Sequence, residues 1–374
     1  MKKKKSAWAL AVCFFLVIAA LTAAFFALPK QTYSENEKRV LSEAPKFSFA
    51  ALTDGSITSD TETYIADHFP FRSFFVGLHA YAQQLFGQNG DSGVYRGKDG
   101  YLFAAQGEID LDRTAANVQK VRAFAAQNGL ETTWLLVPCA GSMLEDKLPR
   151  FHKAFRDGEV FDTVKQACAP DFFLDARESL AAADGQVYYK TDHHLTSKGS
   201  LALYEAYCAA KGLVPQQFTL TTTSDGFFGT AYSKSGLWPT KPDTLEIRSE
   251  AGGDYTVTIT EGAESKTYDS LYFRDHLNEK DQYPVFLDGN HAVVKIENHR
   301  CKNGKKLLIL KDSFAHCFTT FLAANYETIV MVDLRYDRES LAALVEKEGL
   351  GELLVLYGAE DFAASSDFAW LAMM

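Results

Sequence analysis

Several features that would mark a protein class are scarce in this chain. Its six cysteines, at positions 13, 139, 168, 208, 301 and 317, include no C-x-x-C pair. That spacing excludes both a recognisable zinc-ligand set and a dense disulfide framework. Five of them fall outside the apolar N-terminal segment and read as small buried thiols, with one disulfide left open. Basic surplus is also absent. The formal net charge is −10 over 374 residues, and setting aside Lys2, Lys3, Lys4 and Lys5 makes the remainder more negative still. Nucleic acid is therefore excluded as a partner, and a neutral ligand is easier to accommodate than a polyanion. There is no internal repeat and no low-complexity tract. A composition 47% hydrophobic and 23% charged instead provides a large globular core.

Long apolar runs are likewise missing, with one exception. Residues 7–28 carry no charge and follow four consecutive lysines. Twenty-two helical residues span about 33 Å, enough to cross a hydrocarbon core of ~30 Å. The lysines put the N-terminus in the cytoplasm and everything else outside. A cleaved signal peptide is the competing reading, but its apolar region is usually shorter, and no A-x-A site precedes Lys30. The expectation is a single-pass, uncleaved anchor over residues 1–29.

Residues 30–60 read as a polar stalk, and 61–374 as the main domain. Within 61–88 the apolar spacing is helical, broken at Pro70, with Phe74, Leu78, Tyr81 and Leu85 at steps of four, three and four. Asp99-Gly100 supplies the turn of a hairpin over 94–103. Beyond it, helical segments (114–127, 161–167, 201–211, 314–324, 338–348) alternate with short apolar strands. The strands are expected at 132–137, 171–174, 187–189, 307–310, 328–332 and 353–356. Alternation of this kind predicts an α/β fold with a parallel sheet covered on both faces. Residues 215–300 depart from it. Period-two stretches at 219–223, 244–248, 255–260 and 266–272, with turns at Asp225-Gly226 and Gly252-Gly253, predict a β-rich insertion.

Two local sequences carry chemistry. Thr191-Asp-His-His-Leu-Thr196 stands immediately before a helix that Thr196 or Ser197 can cap. Asp192 and His194 are two apart, so on a short extended turn the carboxylate can hold the imidazole in the tautomer that accepts a proton. A polar pre-helix loop is the structural alternative; the ligand spacing is too sparse to predict a metal site. The second sequence is Leu307-Leu-Ile-Leu-Lys-Asp-Ser-Phe314, a buried strand running into a helix. That junction exposes a nucleophilic serine in α/β hydrolases and offers helix-N-terminal N–H groups to an oxyanion. Simple capping by Asp312 or Ser313 competes with it.

These motifs, with the anchor, resemble the DHHW proteins, relatives of the alginate O-acetyltransferases in the SGNH hydrolase superfamily. The resemblance extends to residues 34–41, Tyr64-Ile-Ala-Asp-His-Phe-Pro-Phe-Arg72, Phe228-Gly-Thr-Ala-Tyr-Ser-Lys234, Tyr283-Pro-Val-Phe-Leu-Asp-Gly-Asn290 and Val332-Asp-Leu-Arg-Tyr336. It implies an SGNH-like three-layer α/β/α domain. The implied activity is acyl transfer to an exported polysaccharide, with Ser313 as nucleophile, His194 as base and Asp192 as its orienter. It also implies an acyl donor delivered by a separate multi-span membrane acyltransferase. No cofactor or metal is implied. Phe314, through its backbone N–H, and Asn290 are candidate oxyanion contacts, with a plain β-turn competing at Asn290; Arg335 and Tyr336 are candidate cleft residues, with a satisfied surface pair as the alternative. His193, His291 and His316 read as non-catalytic. Leu195 stands where the family name has Trp, and Lys311-Asp312 where the superfamily has Gly-Asp before its serine, so packing or substrate choice can differ there. A carbohydrate esterase with the same residues, and a non-catalytic glycan-binding envelope protein, are the alternative readings.

Overall fold

The computed structural model describes residues 2–336 and 340–372, which form two compact units. The first comprises residues 1–91 and 233–239, and the second 92–232 and 240–374. Residues 61–91, expected in the α/β domain, thus lie in the first unit together with the apolar N-terminal segment.

In the first unit, α1 (Lys2–Ala27) contains a 20-residue stretch, Trp8–Ala27, that is long and apolar enough to cross a membrane. Its end meets a later helix, α2 (Ser56–Asp67), where the Phe25 ring lies edge-on to Tyr64 at 6.1 Å. A third helix, α3 (Arg72–Leu85), follows the break at Pro70. Two of the quoted motifs are tied together here. Asp67 accepts Arg39 through both carboxylate oxygens (3.0 and 2.5 Å) and the Ser42 N–H at 2.9 Å, and Glu37 pairs with Arg72 at 2.9 Å. The hydrogen bonds from Arg39 hold the Asp67 carboxyl well below the usual carboxylate range.

The second unit is built on an eight-stranded mixed sheet. Its strands are β1 (Glu131–Val137), β2 (Phe172–Asp175), β3 (Tyr255–Glu261), β4 (Glu264–Tyr268), β5 (Val293–Asn298), β6 (Lys306–Lys311), β7 (Thr328–Val332) and β8 (Glu352–Gly358), in the order β4-β3-β5-β7-β6-β8-β1-β2. The five strands from β7 to β2 run parallel. On the other side, β5, β3 and β4 are joined antiparallel. Residues 215–300, expected as an insertion, therefore contribute three strands to the main sheet. A separate antiparallel ribbon pairs Thr219–Phe227 with Asp243–Ser249.

Both faces of the sheet are covered, as its apolar strands require. Side chains alternate across the sheet, so Leu307 and Ile309 join one core while Leu308 and Leu310 join the other. The first core includes α6 (Ser197–Lys211) and α7 (Ala315–Leu322). The second includes α4 (Leu111–Gln127), α5 (Asp157–Cys168) and α8 (Leu341–Glu348). This is a three-layer α/β/α arrangement. The expected start of α8 at 338 lies outside the described residues. All six cysteines are free thiols.

Two expectations fail locally. Residues 187–189 form no sheet strand. Tyr188 makes a single bridge to Leu195, because the chain turns back at once through Thr196 N–H to Val187 O and Tyr189 N–H to His194 O. Nor does Asp225-Gly226 turn. The strand continues through it to Phe227, and a register shift between Ser224 and Phe227 absorbs the irregularity as a bulge.

Asp67→Ala should loosen the first unit selectively, by about 1–2 kcal/mol. Hydrogen exchange should accelerate at residues 39–42 and 64–72 while amides of the central sheet keep their protection. The Asp67 carboxyl titrates lower when folded than unfolded. Its contribution is therefore complete above the ordinary carboxylate range and is lost as pH falls toward the folded value; the variant should lack that acid sensitivity.

Candidate active site

The strand exits of the parallel half converge on one serine. β6 ends at Lys311, and Ser313 follows in the turn before α7, half-buried. Asp312, fully buried, clamps this turn by accepting the Phe314 N–H at 2.9 Å and, from the end of β8, the Gly358 N–H at 2.6 Å. Burial pushes the Asp312 carboxyl well up, although both N–H donors favour its charged form. Gly358 has no room for a side chain, since a Cβ there would stand 2.7 Å from the Phe314 ring.

Opposite Ser313 stands the Asp-His-His loop. The Ser313 Oγ and His194 Nε2 are 2.7 Å apart, and His194 Nδ1 is hydrogen-bonded to Asp192 Oδ1. Asp192 also accepts the His194 N–H (2.9 Å) and, through its other oxygen, the Thr230 N–H (2.6 Å). All three side chains therefore lie in one hydrogen-bonded line. Thr196 caps α6, accepting from Gly199 N–H at 3.2 Å.

The loop is braced from three further places. Asp243, buried at the start of the ribbon's second strand, accepts Lys190 N–H, Thr191 N–H, Thr191 Oγ1–H and Gln186 Nε2–H at 2.7–3.0 Å. Gly229 presses against Asp192 so closely that a Cβ there would lie 2.0 Å from the Asp192 Cβ. Tyr283 stacks flat on the His194 ring, with centroids 3.9 Å apart and planes 10° apart, and its hydroxyl donates to Ser313 O at 3.3 Å. None of these three was assigned a role from sequence. Gly229 and Tyr283 nevertheless belong to the quoted motifs 228–234 and 283–290, and that membership was the available signal.

The other expected residues are distributed as follows. The Phe314 N–H is occupied by Asp312, so it is not available as the oxyanion donor expected of it. The Ser313 N–H has no partner among the described residues. Arg335 donates to Asn290 Oδ1 at 3.3 Å and forks onto Asp333 at 2.9 and 2.6 Å, and its guanidinium lies 5.4 Å from the Tyr336 ring. Asn290, Arg335 and Tyr336 thus form one exposed group, without a hydrogen bond to Ser313 or His194. Leu195 is buried in the core beside Gly199, so the departure from Trp is one of packing. His193 lies with its ring 3.9 Å from that of His194. Donor atoms of Asp192, His193 and His194 fall within 4.8 Å of one another, but a cation held by all three would compete with the Asp192–His194–Ser313 line. His291 binds Glu261 and Asp288.

Beneath the serine, Lys311 is fully buried, with Nζ 3.0 Å from Asp333 Oδ2 and 2.9 Å from His316 Nε2. Burial lowers the Lys311 ammonium from its ordinary value. Burial first, and then Lys311, hold His316 well below the ordinary imidazole value, and its Nδ1 is buried without a partner among the described residues.

A three-layer α/β/α sheet with a serine at a central strand exit, facing an Asp-x-His loop, defines an SGNH-like protein. Residues 178–332 match the family described as DHHW protein, and 94–229 match the SGNH hydrolase-like domain of acetyltransferase AlgX. The chain is related to both. Among named relatives, the probable alginate O-acetylase AlgJ of Pseudomonas putida is 26% identical over 179 residues, covering 42% of this chain and 44% of the relative. That of Pseudomonas syringae pv. tomato is 28% identical over 251 residues, covering 56% and 62%. The matches thus span roughly half of those relatives' length. In fold, the chain is similar to a DHHW family protein from Eubacterium siraeum (TM-score 0.64, 21% identity, 75% of this chain and 94% of that one). It is also similar to Bacillus cereus PatB1 with a sulfonyl adduct (TM-score 0.62, 16% identity, 74% and 97%).

Gly229→Ala should displace the Asp192 carboxylate. The downfield imidazole proton expected of the His194–Asp192 hydrogen bond should then disappear from the proton NMR spectrum while the fold persists. His316 gives a second test. It stays neutral when folded but takes a proton near pH ~6.5 when unfolded. Stability is therefore complete above that pH and declines below it, so the melting temperature of His316→Asn should fall less steeply between pH 7 and 5 than that of the wild type.

Proposed function

We propose that this chain is a membrane-anchored, extracytoplasmic O-acetyltransferase that moves an acetyl group onto an exported polysaccharide through Ser313. The observation carrying this reading is the 2.7 Å approach of His194 Nε2 to Ser313 Oγ, with Asp192 on the other ring nitrogen. The acetylase names of the relatives support the reaction class, and their alginate substrate supports a polysaccharide acceptor. The spanning-length stretch in α1 supports anchoring. The lysines before it favour a cytoplasmic N-terminus.

In the proposed mechanism, Ser313 Oγ attacks the carbonyl of an acetyl donor while His194 Nε2 takes its proton. Asp192 stabilises the resulting imidazolium and keeps the ring in the required tautomer. The tetrahedral oxyanion is received by the Ser313 N–H at the start of α7, in the position first expected for Phe314. Collapse expels the donor's leaving group, which takes the proton from His194. A sugar hydroxyl, deprotonated by His194, then attacks the acetyl-serine and regenerates Ser313. The donor group is supplied from across the bilayer by a separate multi-span acyltransferase. Water in place of the sugar would give an esterase with the same residues.

Full-length protein in detergent should cleave a chromogenic acetyl ester and accumulate acetyl on the Ser313 peptide. Ser313→Ala and His194→Ala should each lose about 10³-fold or more in kcat; wild-type activity no higher than theirs would sink the catalytic reading. An oligosaccharide acceptor should accelerate product release and gain the acetyl mass, whereas indifference to acceptor selects the esterase. Tyr283→Leu should lower kcat by about 10–100-fold through a misplaced imidazole, and Tyr283→Phe, which keeps the stack, should retain most activity.

A further inference from the structure

The apolar stripe of α3 points the wrong way for a core. In a helix packed on a globular body, residues at steps of three and four face inward. In α3 Phe74, Leu78 and Leu85 face solvent, with Tyr81 half-buried among them. Phe74 is 65% exposed, Leu78 54% and Leu85 88%, and the stripe is extended by Phe71 (65%) and Phe86 (86%) at its two ends. The flanking face is already committed to protein. Gly77 and Ala80 are buried against Trp238 and Gly236 of the same unit, and Trp238 Nε1 donates to Ser73 O at 2.7 Å. Rotation of the helix to bury the stripe would bring Phe74 or Leu78 to where a Cβ on Gly77 would already stand 3.1 Å from the Trp238 ring. The outward orientation is therefore built in.

Its surroundings say what covers it. From Ser73 to Phe86 the chain has no Asp, Glu, Lys or Arg, so no fixed charge opposes entry into an apolar medium. Arg72, just before, is turned away into its pair with Glu37. The end of α1 touches α2 directly, Phe25 against Tyr64, and the Lys30 ammonium lies 3.5 Å over the Phe25 ring, just beyond the apolar segment. A lysine at that position marks the boundary between acyl chains and headgroups. The break at Pro70 then brings α3 in directly after α2. Aromatic and leucine side chains on one face of a helix, in the same compact unit as the spanning-length helix, match the composition of an interfacial helix.

We propose that the outward face of α3 is a second membrane contact. Phe74, Leu78 and Leu85 are immersed in the headgroup–acyl boundary of the bilayer that α1 spans, while Gly77 and Ala80 hold the helix to the protein. The proposal rests on the anchor reading above. The first unit then lies on the bilayer surface instead of projecting from it on a flexible tether.

The test places the photoreactive residue benzoylphenylalanine at position 74 or 85 of the full-length chain. The protein is irradiated both in phosphatidylethanolamine–phosphatidylglycerol vesicles and in the membranes of the producing cells, and adducts are identified by mass spectrometry. Position 18, within α1, is the positive control for spanning. Position 151 is the aqueous control, because Phe151 is 96% exposed on the second unit. Phospholipid adducts at 74 and 85, about tenfold above position 151, are the expected result in both settings. Adducts mainly to a polypeptide, whether another protein or a second copy, would overturn the proposal in favour of a protein interface. Lipid adducts at 18 but background levels at 74 and 85 would overturn it while leaving the anchor intact. Background at 18 as well would remove the anchor and the proposal together.

Discussion

An imidazole on a loop has two free side-chain torsions, and everything this site can do depends on arresting both. The hydrogen bond from His194 Nδ1 to Asp192 fixes the direction of the ring, and the flat stack on Tyr283 fixes its plane. Neither restraint would suffice alone, since a hydrogen bond permits twisting about its axis and a stack permits sliding. Asp192 must itself be immobile for this to work, which explains the dense packing around it: two backbone N–H donors on its carboxylate, a glycine pressed against its Cβ, and Asp243 gathering the preceding residues. Tyr283 also holds the Ser313 carbonyl, so one side chain sets the position of both members of the short contact.

The serine is fixed differently, by the sheet. Three adjacent parallel strands end around it, with Lys311 from β6, Asp333 just beyond β7 and Gly358 from β8 all bound into its turn or directly beneath it. Lys311 takes the place of the expected small residue by standing in the core with its ammonium on Asp333, a buried charge stabilised by an equally buried partner. Asp312 clamps the turn by accepting the Phe314 and Gly358 N–H groups. The clamp uses the Phe314 N–H and leaves the Ser313 N–H without a partner among the described residues.

Much of this was legible in the sequence because the signals were strong and local. Fully buried parallel strands produce continuous apolar runs, and 307–310, 328–332 and 353–356 stand out for that reason. Asp-x-His spacing and a serine at a strand exit are short motifs whose geometry follows from backbone stereochemistry. What escaped depended on long-range contacts. Val187–Tyr189 has strand-like residues, but its pairing is decided by the return of the chain at Leu195. Asp225-Gly226 has turn chemistry, but its pairing with the ribbon's other strand converts a turn into a bulge. Tyr283 could not be placed over an imidazole some 90 residues away by any local rule. The spacing in α3 marks a helix, yet periodicity reveals only that a stripe exists and not which medium it faces.

The strand order has a consequence for the order in which the protein can come into being. β1, at residues 131–137, takes as a parallel neighbour β8, at residues 352–358, the last strand among the described residues. While the polypeptide is being synthesised, one edge of β1 stays unpaired for more than two hundred residues, and the turn around Ser313 lacks the Gly358 hydrogen bond until β8 has been made. Such sequence-distant pairing makes folding slow and late. Asp192 and His194 are thus made before Ser313, and they face it on an organised turn only after β8 has entered the sheet, so a polypeptide stopping short of β8 carries the motifs without the site.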